Sequence, residues 1–316
     1  MDLKDLIPTY HKVSDETYHY KFTVFTPVFN CEKTIIRVHQ SLVNQTYKDF
    51  EWLIINDGST DKSHDTVEHL IKTSPLTIHY INNIENQHKM SCFVQAISLA
   101  KGELLLTLDG DDECLPDALK IFNEEYLTVP FHLKDSLSAV TALCQDQFGN
   151  SLGDIFPTDP YFSNTFKSHA INGIKGEKWG FTKTSVLKGI QVNQQILSKG
   201  FIPESLIWSL IAKEGFVTKY INKVLRIYHI GVDDSLSSMS LEKRAFGSII
   251  NCIAGFNWFF NRYYFKTPKF FLKNLYVLLR ASKYLPYSLK DYLKAIDSNV
   301  VKFMILTLWP FRKLLH

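Results

Sequence analysis

Leu104-Leu105-Leu106-Thr107-Leu108-Asp109-Gly110-Asp111-Asp112-Glu113 is the stretch on which the reading of this chain turns. An apolar run of strand length stops in four acids separated by one glycine. Carboxylates this close repel one another and raise each other's pKa unless a cation or a set of donors sits among them. At the carboxyl end of a strand in an α/β sheet, where ligands usually bind, a divalent metal carrying a phosphate accounts for the pattern. An acidic turn leading into a helix N-terminus accounts for it too.

Outward from this stretch the chain alternates. Phe22-Thr23-Val24-Phe25-Thr26 reads as a buried strand ended by Pro27, and Asn30 as the N-cap of a helix with Ile35, Val38 and Leu42 on its apolar stripe. Glu51-Trp52-Leu53-Ile54-Ile55-Asn56 is a second strand, stopping at Asp57-Gly58-Ser59-Thr60-Asp61; residues 77–81 form a third. Phe93, Ile97 and Ala100 place a helix before Gly102, taken as its terminal glycine. Strand and helix at short intervals predict an α/β fold with a doubly wound, mostly parallel sheet flanked by helices. Asp57 and Asp109 then stand at one sheet edge. Neither GxGxxG nor GxxxxGK[ST] occurs, which disfavours dinucleotide and P-loop binding.

Composition narrows the class. With 45% hydrophobic and 21% charged residues over 316 positions, the chain has ample core for one large domain with an appendage. Five scattered cysteines, odd in number and without CxxC spacing, suggest reduced thiols and a cytoplasmic protein. The polar start, Met1-Asp2-Leu3-Lys4-Asp5, is unlike a secretion signal. From Arg262 onward eleven Lys/Arg face two acids, so a tail of +9 follows a body of −6 within a chain of +3. That asymmetry points to an acidic surface as the tail's partner. No nucleic-acid partner is expected.

In order and spacing, Thr26-Pro-Val-Phe-Asn30, Asn56-Asp-Gly-Ser-Thr-Asp61, Ala100-Lys-Gly-Glu103 and Leu108-Asp-Gly-Asp-Asp-Glu113 resemble the nucleotide-binding half of family 2 glycosyltransferases. The resemblance runs from about Phe22 to Tyr228. It implies a GT-A-type fold: residues 1–20 as a lead-in, 21–240 as the transferase domain (nucleotide half 21–130, acceptor half 131–240), and 241–316 as a basic, aromatic helical appendage. It implies that Thr26, Pro27, Val28 and Asn30 lie along the nucleotide, that Asp57 accepts from the uracil edge, and that Lys89 approaches the diphosphate. Asp109 and Asp111 match the family's Asp-x-Asp motif, which binds the ribose and a Mn²⁺ or Mg²⁺ ion, with His229 as a candidate third metal ligand, a phosphate contact or a strand cap. Asp112 and Glu113 are not required by that site. Glu204, alone where the family often has a Glu-Asp pair, is implied to be the general base of an inverting transfer. A helix-dipole acid is its bland alternative.

Trp179, framed by Gly176 and Gly180, reads either as a platform for the acceptor sugar or as a buried core residue. Residues 233–238 read as a loop that folds over donor. The tail reads as an amphipathic surface on an anionic membrane, peripheral at the inner face of the plasma membrane, or as helices packed on the catalytic domain or a partner. The implied activity is transfer of a single sugar from a nucleotide-diphosphate donor, with UDP as its nucleotide, to a glycan or lipid-linked glycan acceptor in cell-surface polysaccharide synthesis. Two alternatives stand beside it. A sugar nucleotidyltransferase would need a Gly-rich basic loop after the first strand, and a glycan-binding scaffold would have lost the acids.

Overall fold

The computed structural model describes residues 2–14, 17–197, 199–231 and 239–315. The loop expected at 233–238 lies outside them. The main sheet is built from β1 (Tyr20–Val28), β2 (Phe50–Asp57), β3 (Ile78–Asn83), β4 (Gly102–Thr107), β5 (Leu137–Asp146), β6 (Lys178–Lys183) and β7 (Val217–Tyr228), in the order β3-β2-β1-β4-β6-β5-β7. Strands β1 to β4 run parallel, β6 is antiparallel to both neighbours, and β5 and β7 pair in parallel. Because β1 has β2 on one side and β4 on the other, the strand order reverses there. Ligands of open α/β sheets bind at the crevice such a reversal leaves.

Alternation along the strands covers both faces. Phe22, Val24, Trp52, Ile54, Leu104 and Leu106 join one apolar cluster, while Phe25, Leu53, Ile55 and Leu105 join the other. Helices α1 (Ile35–Val43), α2 (Ser63–Thr73) and α4 (Ala118–Leu127) supply the first layer. Helices α3 (Lys89–Leu99), α5 (Ser205–Lys213), α6 (Leu241–Tyr263) and α7 (Pro268–Ala281) supply the second. Two short helices, α8 (Leu289–Ala295) and α9 (Asn299–Leu308), complete it.

Four local expectations are corrected. Pro27 does not end β1 but sits within it, beyond the last register with β4 at Phe25, where a missing N–H interrupts no pairing on that side. Thr34, not Asn30, occupies the N-cap of α1. Gly102 opens β4 instead of closing a helix, because a Cβ there would meet the Thr23 nitrogen at 2.2 Å. The lead-in is anchored: Leu3 and Leu6 are fully buried, and Asp2 and Lys4 pair with Lys294 and Asp297 of the C-terminal region.

Most aromatic residues of the C-terminal region serve the core. Phe256, Phe259, Phe260 and Phe271 are buried, and the Phe259 ring stacks on Phe166 with centroids 3.9 Å apart. Of the two readings of the tail, packing on the catalytic domain holds for α6 and α7. No helix among the described residues is long and apolar enough to cross a membrane.

Candidate active site

The turns after β1, β2 and β4 are tied together before any ligand arrives. Asn30, at φ 55°, accepts through its side-chain oxygen from Thr60 N at 2.8 Å, and its own N–H donates to Ser59 Oγ at 3.0 Å. Asp57 ends β2, buried, with Oδ1 accepting from Gln87 N at 2.7 Å. Gly58 lets the next segment come close: its φ is +68°, and a Cβ there would meet Asn86 N at 2.7 Å. Together Asp57 and Gly58 hold residues 85–88, and α3 begins immediately afterwards with Lys89.

Lys89 is the centre of the site. Its Nζ lies 2.7 Å from Asp109 Oδ1 and 3.0 Å from Glu204 Oε1. The three side chains are 29%, 25% and 40% exposed, so the ion-paired group opens to solvent and is within reach of a ligand. Burial works against charge on Lys89, but Asp109 and Glu204 overcome it and raise its pKa above the ordinary range. Burial likewise acts to raise the Asp109 carboxyl, yet Lys89 and Arg226 hold it down at about 2.

Arg226 went unnoticed in the sequence. It lies on β7, 6% exposed, and donates from Nε to Asp112 Oδ2 at 2.8 Å and from Nη2 to Asp109 Oδ2 at 3.1 Å. A second, short contact joins Nη2 to Asp112. Asp112 also accepts from His229 N at 3.0 Å. An arginine between Leu225 and Ile227 in an apolar strand was the available signal. Its acids lie more than a hundred positions away, which no local spacing rule connects.

Asp111 differs from its neighbours. Among the described residues no cation lies within ion-pair distance of its carboxylate, and burial together with Asp109 raises its pKa. Arg37 reaches only its backbone, donating to the Asp111 carbonyl. Gly110 between the acids sits close to the turn after β1: a Cβ there would meet Cys31 Sγ at 2.7 Å and the Pro27 carbonyl at 3.2 Å. The acids of this strand end outnumber the cations around them, and Asp111 carries the excess. This fits a divalent ion at Asp111 and Asp109. No three His, Cys, Asp or Glu side chains form a ready-made cage among the described residues.

The other expected residues have the following surroundings. His229 Nε2 lies 2.7 Å from Glu113 Oε1, so its ring is engaged with that acid. Trp179 is 4% exposed, packs against Phe122 and donates Nε1–H to the Thr107 carbonyl at 2.6 Å, so its ring offers no face to a sugar. Thr26 and Val28 are fully buried, Thr26 accepting from Trp52 Nε1 at 2.9 Å. Only their backbone can border a nucleotide. Pro27 and Asn30 remain at the edge.

Glu204 stands just ahead of α5, in its N-cap position, and the C-terminal region supports it. Gly247 of α6 packs so tightly that a Cβ would come within 2.2 Å of the Phe201 carbonyl and 2.9 Å of Pro203 Cδ. A larger residue would push α6 against the segment that carries Glu204.

Residues 23–128 match the family model described as glycosyl transferase family 2. Over 221 residues the chain is 27% identical to the GalNAc(5)-diNAcBac-PP-undecaprenol beta-1,3-glucosyltransferase of Campylobacter jejuni, covering 69% of this chain and 67% of that protein. Other curated relatives are matched over 11% to 68% of their length. Among solved structures, S. aureus TarS 1-349 in complex with UDP-GlcNAc superposes with a TM-score of 0.59 at 19% identity, covering 93% of this chain and 87% of that one. Mannosyltransferase PcManGT from Pyrobaculum calidifontis, in complex with GDP-Man and Mn²⁺, gives 0.52 at 16% identity, with 96% and 83% covered. At such identities the two structures establish the fold, which is GT-A-type.

Proposed function

We propose that this chain, which belongs to the family 2 glycosyltransferases, moves a single sugar from a nucleotide-diphosphate donor to a glycan or lipid-linked glycan acceptor of the cell surface, inverting the anomeric carbon. UDP is the nucleotide of this reading, in line with the ligand of TarS. The observation that carries it is Lys89, whose single ammonium spans Asp109 of the Asp-x-Asp turn and Glu204. The donor-holding acid and a candidate base thus face one cleft.

In this reading residues 21–130 hold the donor and 131–240 the acceptor. Asp57 recognises the base edge, with Oδ1 already engaged by Gln87. Asp109 and Asp111 would hold Mn²⁺ or Mg²⁺, which when bound offsets charge on the departing diphosphate. Lys89 lends its positive charge to the same phosphates. Glu204 takes the proton of the acceptor hydroxyl as that oxygen forms its bond to the anomeric carbon. The bond from that carbon to the diphosphate breaks, and the nucleoside diphosphate leaves with the electron pair. A lipid-linked acceptor and an anionic membrane surface are the partners, on the cytoplasmic side, where five unpaired cysteines are at home.

The test is release of nucleotide from a panel of nucleotide sugars with Mn²⁺ or with EDTA. One donor class should turn over, with Mn²⁺ only, and Asp111→Asn should abolish it. Full turnover in EDTA would remove the role given to Asp109 and Asp111.

A further inference from the structure

We propose that the outward face of α9 and of the 3-10 turn after it (Trp309–Leu314) is a docking surface for an anionic lipid bilayer. Helix α9 carries two apolar stripes where a packed helix needs one. Val301 and Ile305 are fully buried against the core, which satisfies the inner stripe. On the other side Val300 is 57% exposed, Phe303 65%, Leu306 51%, Phe311 57% and Leu314 70%. These recur at helical spacing and continue past Pro310, so they form one ridge and not scattered exposure.

Charge selects the occupant. No acid occurs after Asp297, whereas Lys302, Arg312 and Lys313 flank the ridge. A second copy docking on the same face about a two-fold axis would set these cations against themselves. An anionic bilayer meets both features: apolar side chains enter the acyl boundary while lysines reach headgroups. Helix α9, ten residues and so about 15 Å long, would lie along the surface. The buried aromatic residues of α6 and α7 take no part, which confines the surface to the last part of the chain. Its purpose rests on the lipid-linked acceptor of the reading above, since such an acceptor is met at a bilayer.

The experiment is co-sedimentation of the full chain with vesicles of phosphatidylcholine alone or mixed with phosphatidylglycerol, without sugar donor, so the result is independent of the transfer chemistry. Binding should require the anionic lipid and weaken as salt rises. The double variant Phe303→Ser, Phe311→Ser removes exposed side chains and should keep its melting temperature and nucleotide binding while losing at least about tenfold in vesicle affinity. Equal binding to both vesicles, no binding to either, or a variant that binds like the parent would overturn the proposal. So would a concentration-dependent dimer abolished by the variant in a chain that ignores vesicles, because the occupant would then be a second copy.

Discussion

Lys89 Nζ lies 3.0 Å from Glu204 Oε1 while it also contacts Asp109, so the carboxylate proposed as base is held by a cation proposed for the donor. For Glu204 to accept a proton, Lys89 must have a better anion to attend, and a diphosphate is one. Glu204→Gln should therefore free Lys89 and tighten UDP binding by about two- to fivefold, the worth of a partly exposed ion pair. Lys89→Met should weaken UDP binding, and in that background Glu204→Gln should change nothing. Calorimetric titration of the four proteins gives the answer. Effects that simply add would show that the two side chains do not compete.

Arg226 neutralises two acids at once, Asp109 and Asp112, from a buried strand. Arg226→Met leaves Asp112 without a cation and Asp109 with Lys89 alone, and should cost about 3–5 kcal/mol of stability. Combining it with Asp112→Asn should recover part of that loss. Denaturant unfolding measures both, and a cost within experimental error for the single variant would contradict the account.

Gly247 offers a way to move Glu204 without touching the cleft. Gly247→Ala places a methyl within 2.2 Å of the Phe201 carbonyl, an overpacking worth about 1–3 kcal/mol. Turnover should fall while UDP affinity is kept or rises by no more than the gain expected for Glu204→Gln, since the shift affects the donor side only through the contact of Glu204 with Lys89. Loss of UDP binding instead would place the effect elsewhere.

Trp179 is a core residue with a hydrogen bond, and its variants should behave accordingly. Trp179→Phe leaves the Thr107 carbonyl without its donor and should lower stability by about 1–3 kcal/mol with the acceptor KM unchanged. A raised acceptor KM at unchanged stability would restore the sugar-platform reading.

What could be read from the sequence was whatever lies close along the chain. β2 shows itself through the apolar run Trp52–Ile55, with all eight residues of the strand buried, and the acids Asp57 and Asp109 lie at or just past strand ends. The nearness of Lys89, Asp109 and Glu204 was legible only through the family resemblance, because each rides on a different element. The partners of Trp179 and His229, Thr107 and Glu113, are supplied by distant segments, so no local spacing showed them. Periodicity marked the aromatic tail as helical, but could not say which of two apolar stripes on α9 faces inward. Tertiary packing decided that.

The account stands or falls on Glu204 as the base. The most direct measurement is single-turnover transfer by Glu204→Gln, with donor binding followed in the same sample in the presence of Mn²⁺. The account predicts a variant that binds donor at least as well as the parent and transfers sugar about 10²- to 10⁴-fold more slowly. Transfer at the parental rate would contradict it.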